Sequence, residues 1–172
     1  AQGDAWFERK NPLDGEVATR APAATPADAV AAVEAASAAF PAWSATGPGK
    51  RRALLLKAAD ALEAKLPAFV AAMAGETGAT AMWAGFNVHL AADGLREAAA
   101  LTTQITGDVI PSDVPGSLAL AVRQPAGVVL GIAPWNAPVI LGVRAVAAPL
   151  ACGNTVVLKV SCLLYTSDAA DD

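Results

Sequence analysis

Between residues 26 and 103 apolar positions recur at the three- and four-residue spacing of amphipathic helices. After residue 118 they gather instead into short runs rich in Val, Leu and Ile. The first pattern buries one stripe of a helix; the second suits a strand covered on both faces. Thr25-Pro26-Ala27-Asp28 opens the helical part. Thr25 can cap, Pro26 fits the first helical position, and Asp28 completes a box-like pattern. A helix is predicted over 26–40, with Val30, Val33, Ala36, Ala39 and Phe40 on one side and Pro41 ending it. A second runs from Pro48 to Leu66, with Leu55, Leu56, Ala59, Leu62 and Leu66 at core-facing spacing. A third covers 67–75, stopped by Gly75 and Gly78, and a fourth covers 79–103, weakened by Gly85 and Gly94. Residues 1–24 read as an irregular or short-stranded lead-in, with turn chemistry at 11–16. Residues 108–117 are turn-rich and precede a short apolar strand at 118–123.

The stretch 124–161 reads as a β-α-β unit. A strand at 127–133 is broken by Pro134-Trp135-Asn136-Ala137-Pro138. A helix then runs from Pro138 to about Cys152, closed by Gly153-Asn154, both tolerant of the left-handed conformation. A second strand covers 155–158, with Lys159 at its carboxyl end. Ligands in parallel α/β sheets bind outside the carboxyl ends of strands. Pro134-Trp135-Asn136 and Lys159 therefore face the same side of the sheet, and the expected fold class is α/β.

Composition sharpens this picture. Of the 172 residues 55% are hydrophobic and only 16% charged, against about 25% charged in typical domains. Mean hydropathy is +0.42. Such a chain expects more burial than its length alone provides, as a piece of a larger protein would. A net charge of −4 and a pI near 4.9 argue against nucleic acid and anionic membrane as partners. The longest apolar stretch, 128–152, is interrupted by Pro134, Asn136, Pro138, Arg144 and Pro149, so no membrane span is expected. The start lacks a secretory pattern and an initiator Met. Two cysteines give no disulfide framework, and a reducing, cytoplasmic setting follows. No metal-ligand spacing occurs. His89, mid-helix beside Val88 and Leu90, reads as structural.

Several segments match one family in order and spacing. Gly127-Val128-Val129, Pro134-Trp135-Asn136-Ala137-Pro138, the run 149–157 from Pro149 through Cys152-Gly153-Asn154 to Val157, and Lys159 resemble the aldehyde dehydrogenase superfamily. Asn11-Pro12-Leu13-Asp14-Gly15-Glu16 and Glu76-Thr77-Gly78 extend the likeness. The wording of 136–144 is most similar to the branch acting on benzaldehyde, vanillin and salicylaldehyde. The resemblance implies N-terminal helices plus the first β-α-β unit of a truncated, Rossmann-like NAD(P)-binding domain. Residues 1–111 would form the mainly helical part of that domain, 112–124 a strand of the oligomerisation hairpin, and 125–161 the start of the cofactor-binding core.

The resemblance also implies roles. Asn136 would hold the oxyanion that develops when an aldehyde is attacked by a cysteine thiolate, the alternative being a cap for the helix that follows. Hydride would pass to NAD or NADP, and a Glu-activated water would release the acid. Ile132, Ala133, Pro134, Trp135 and Asn136 would form the wall along which the cofactor runs, and Lys159 would contact its adenosine ribose. For Trp135 the alternative is a core aromatic, and for Lys159 a solvated side chain. The partner would be a small-molecule aldehyde, and the parent a homodimer or homotetramer. The family's nucleophilic Cys, general-base Glu and Gly-rich turn lie further along, so this stretch is expected to lack activity alone and to fold poorly. Cys152, with no cation adjacent, is expected to be a small core residue rather than the nucleophile. Residues 162–172, including Cys162, read as translated sequencing-adaptor sequence and are set aside. Two other readings remain: an aliphatic aldehyde or semialdehyde dehydrogenase, and a non-catalytic helical interaction module lacking a strand at 155–158.

Overall fold

The computed structural model describes residues 5–161. The segment 162–172 and Cys162 lie outside the described residues. In chain order the elements are β1 (Trp6–Lys10), β2 (Val17–Pro22), α1 (Pro26–Ser44), α2 (Pro48–Ala64), α3 (Leu66–Thr77), α4 (Ala81–Leu101), β3 (Asp108–Ile110), β4 (Ala119–Ala121), β5 (Val128–Ile132), α5 (Pro138–Ala151) and β6 (Thr155–Lys159). β1 pairs antiparallel with β2, β3 antiparallel with β4, and β5 parallel with β6. The parallel pair bears out the β-α-β reading. It also removes the helical interaction module, which required no strand at 155–158.

The capping box of α1 forms as the sequence predicts. Thr25 Oγ1 accepts from the Asp28 N–H at 3.2 Å, and the Thr25 N–H donates to Asp28 Oδ2 at 2.8 Å. Pro41 does not end this helix. It stands in the last turn, where a proline costs a single backbone bond, and the Ala45 N–H still donates to the Pro41 carbonyl. The predicted apolar side of α1 is also corrected, since Val30, Val33 and Ala39 are exposed. Its inward side is Ala36, Phe40 and Trp43, where α1 meets the start of the sheet. There Thr155 Oγ1 donates to the Ala36 carbonyl at 2.9 Å.

The core lies between α2, α4 and α5, where Leu55, Ala59, Ala92, Leu95, Ala98, Ala99, Ala147 and Ala151 are buried together. On α2 the buried stripe is Arg51, Leu55 and Ala59, with Leu62 partly buried against the core. Leu56, one residue off that stripe, is exposed. The helix ends fix their relative direction. Arg51 Nε donates to the Ala151 carbonyl at 3.0 Å, and Arg52 Nε to the Ala99 carbonyl at 3.2 Å. The start of α2 therefore lies against the carboxyl ends of both α5 and α4; Arg51 serves the terminal Ala151 carbonyl, and Arg52 joins Thr102 in donating to that of Ala99. Arg51 also donates to the Thr46 carbonyl, and the Trp43 indole donates to the Leu150 carbonyl at 3.2 Å.

Farther along α2, Arg96 of α4 bridges Glu63 at 2.6 Å and Asp60 at 3.1 Å. His89 Nδ1 lies 3.2 Å from Glu63 Oε1, a surface contact in keeping with a structural histidine. β3 forms where the sequence signals only turns; its pairing with β4 makes a ribbon in which Val109 is 70% and Leu120 55% exposed. The sheet also differs from expectation. The apolar run of β5 predicts a strand covered on both faces, but Leu130 is 63% and Ile132 65% exposed. Among the described residues α5 covers the face of Gly131 and Leu158, whereas α1 reaches only the start of the other.

Two outcomes follow from these contacts. Arg51→Met should lower stability by about 2–3 kcal/mol, because two carbonyls lose a charged donor at a buried site. Urea unfolding should show the midpoint falling with the slope unchanged. Glu63 is held down from 4.5 to about 2, first by the Arg96 hydrogen bond and then by that of His89. A lowered folded-state value means the stabilisation is complete above about pH 4.5 and is lost as pH falls toward 2. Glu63→Gln should flatten the stability profile in that window; an unaltered slope between pH 4.5 and 2 would remove the contact from the account.

Candidate functional site

The parallel ladder brings the candidate residues of β5 and β6 side by side. Ile132 is the register partner of Lys159, and the Ala133 N–H donates to the Lys159 carbonyl at 3.0 Å. That bond is the last rung, and beyond it the two chains part. Both ends point to the same edge of the sheet, as the sequence pattern predicts.

Why α5 lies so close over these ends is a matter of one residue. A Cβ on Gly131 would stand 2.9 Å from Ala145 Cβ and 3.3 Å from Leu158 Cδ1. Only the absence of a side chain lets the helix settle onto the strand at this distance. A second device sits at the other end of the unit. Asn154 Oδ1 accepts from the Ala126 N–H at 2.6 Å and the Gly127 N–H at 3.0 Å, while its Nδ2 donates to the Pro149 carbonyl at 3.2 Å. Gly153 takes the left-handed conformation at φ 85°, and Asn154 does not. The asparagine is there for its side chain, which ties the start of β5 to the end of α5.

Asn136 is exposed at the bend between β5 and α5. It does not cap the helix: the N-cap is Ala137, and no side chain bonds there. The capping alternative is therefore corrected. Ala137, at ψ 66°, also lacks the extended conformation of a side-chain cap. Ala133 is buried, Pro134 is exposed, and Trp135 is 53% exposed. Trp135 is thus not a core aromatic. Lys159 is exposed.

A cavity of about 280 Å³ opens beside these residues. Ala133, Pro134 and Trp135 form one wall; Arg9, Glu76 and Ser161 stand among the others. Ile132, Asn136 and Lys159 are not among its lining residues. The sequence reading missed Arg9 altogether and used Glu76 only as a motif residue. The one available signal was a charged residue at an inward position of an alternating strand. Cys152 also corrects an expectation. It is exposed at the C-cap of α5, one position past Ala151 and so rotated off the buried stripe. Among the described residues no group of three or more His, Cys, Asp or Glu could hold a metal ion. No helix of the described residues is long and apolar enough to cross a membrane.

Comparison with known proteins agrees with this geometry. Residues 1–166 match the model of the aldehyde dehydrogenase family. The chain is 69% identical over 161 residues to a vanillin dehydrogenase of Pseudomonas sp. (strain HR199 / DSM 7063), an overlap of 94% of this chain and 33% of that protein. It is 52% identical over 153 residues to a salicylaldehyde dehydrogenase of Pseudomonas putida, covering 89% of this chain and 32% of that one. The crystal structure of a salicylaldehyde dehydrogenase from Pseudomonas putida G7 complexed with salicylaldehyde superposes with a TM-score of 0.91 at 51% identity, over 94% of this chain and 34% of that chain. That of a NAD-dependent benzaldehyde dehydrogenase from Corynebacterium glutamicum gives 0.89 at 35% identity, over 94% and 35%. The chain belongs to the aldehyde dehydrogenase family. It spans about a third of the length of the relatives it matches.

Replacing Asn154 by Ala should leave the Ala126 and Gly127 N–H groups without their acceptor. A loss of about 2–4 kcal/mol is expected on denaturant unfolding. Asn154→Asp, which keeps the acceptor oxygens, should lose less; equal losses would show that the amide's donation to Pro149 dominates.

Proposed function

We propose that the whole protein oxidises an aromatic aldehyde of the vanillin, salicylaldehyde or benzaldehyde kind to its carboxylic acid, using NAD or NADP. The observation that carries this reading is the placement of Asn136. Its amide is exposed at the carboxyl end of β5, released from the helix cap, and close in the fold to the paired ends that carry Ile132 and Lys159. A carboxamide N–H held near a carbonyl carbon under attack stabilises the oxygen as it gains charge. The nucleophile and the general base are supplied elsewhere in the whole protein. The activities of the relatives, on vanillin, salicylaldehyde and benzaldehyde, support the aromatic substrate class.

The residues present fit a dinucleotide. The strand ends offer an exposed lysine, an exposed indole and open backbone beside a cavity. When bound, the nicotinamide group supplies the hydride acceptor. Lys159 is suited to donate to ribose hydroxyls, and residues 132–136 form the surface on which the dinucleotide lies. In this reading residues 1–111 and 125–161 belong to one cofactor-binding domain, and the segment 112–124 to an oligomerisation hairpin. The exposed apolar ribbon of β3 and β4 supports a homodimer or homotetramer. A cytoplasmic setting belongs to the same reading.

The test is Asn136→Ala in the full-length protein. Turnover of vanillin or salicylaldehyde should fall by about 10²–10³, far more than any weakening of dinucleotide binding, with melting temperature little changed. Wild-type protein that reduces neither NAD⁺ nor NADP⁺ with any aromatic aldehyde would sink the reading. Preference for short aliphatic aldehydes would sink only its substrate class.

A further inference from the structure

Arg9 stands at an inward position of β1, opposite Thr19 in the hairpin register. Its guanidinium joins segments far apart in the chain. Nη1 donates to Glu76 Oε2 at 3.1 Å, and Nη2 donates to the Ser161 carbonyl at 3.2 Å. The Phe7 ring lies beneath it, 5.4 Å from centroid to Cζ. The other oxygen of Glu76 accepts from Thr19 Oγ1 at 3.0 Å. The pair is largely withdrawn from water, at 16% and 20% side-chain exposure.

Two features of this arrangement run against local preference. Glu76 lies in the last turn of α3, where the helix dipole disfavours a carboxylate. Arg9 Nε is buried without a partner among the described residues, so the guanidinium gives up one donor to reach both acceptors. What the geometry gains is a tie at a place the sheet does not control. The last rung of the ladder is Ala133 to Lys159. Ser161 lies two residues past it, and Arg9 holds its carbonyl. Arg9 is also among the residues that line the cavity with Trp135.

We propose that Arg9 is a positioning residue for the dinucleotide cleft. By gripping Glu76 and the Ser161 carbonyl together, it holds the chain as it leaves β6, just past Lys159, and so steadies the edge from which that lysine reaches the cofactor. The proposal rests on the cofactor reading above. It adds that a residue near the start of the chain, on a separate hairpin, sets affinity for the dinucleotide without touching it.

The test is Arg9→Lys in the full-length protein. A lysine keeps a charge for Glu76 but has no planar fork to serve two acceptors in the same geometry. KM for the dinucleotide should rise about three- to tenfold, the worth of one lost hydrogen bond, with kcat at saturating cofactor within about twofold of wild type. Amide exchange at residues 159–161 should quicken while protection in α2 and α4 stays as in wild type. Glu76→Gln, which weakens the grip from its other side, should move KM in the same direction by less, and serves if Arg9→Lys does not fold. A lower melting temperature and faster exchange throughout, with the KM unmoved, would make Arg9 merely structural and overturn the proposal. Wild-type protein that binds no dinucleotide overturns the cofactor reading and this role with it.

Discussion

Two adjacent arginines at the start of α2 set the geometry on which everything else hangs. Lys50, Arg51 and Arg52 crowd three cations into the first five residues of a helix whose dipole there repels them. The sequence alone makes this look like a flaw. The fold resolves it by laying that turn against the carboxyl ends of α4 and α5, where the dipoles present negative carbonyl ends. Arg51 and Arg52 answer them. The unfavourable local charge becomes favourable only in the assembled layer, so the contact specifies the assembly as well as stabilising it.

From that contact the position of the candidate site follows. Because both carboxyl ends lie at the start of α2, α4 and α5 run in the same direction, and the start of α5 is carried to the opposite edge. Gly131 lets α5 sit low on the sheet, and Asn154 locks its far end to the beginning of β5. Asn136 is therefore placed by groups that never touch it. The hairpin of β1 and β2 reaches the same edge independently, through α3 and Arg9.

Much of this was legible in the residues. Helix starts were readable because Thr25-Pro26-Ala27-Asp28 and Pro138 carry local signals, and the β-α-β unit because its strands and breaks alternate plainly. Asn136 and Lys159 were placed at one edge by topology alone. What the sequence could not show depends on distant partners. Whether Val30 is buried depends on how far α1 reaches over the sheet. Pro41 looked like a stop because a helix interior rejects proline, yet the last turn tolerates it. Cys152 and Asn154 sit where one residue of rotation decides between core, surface and clamp. Arg9 was invisible as a site residue because both its acceptors arrive from elsewhere in the chain.

The alanine-rich seam between α2, α4 and α5 has a consequence for how such a chain can change. Ala59, Ala92 and Ala99 have no rotamer to freeze, so closing the seam costs little side-chain entropy. They also have almost nothing to lose by truncation. Substitutions that enlarge them, however, add atoms to a seam that is already closed. Random mutation at the seam is therefore one-sided, since nearly every accessible codon change at an alanine adds atoms where there is no room. Drift within this layer should be confined to its outer faces, while the seam stays small.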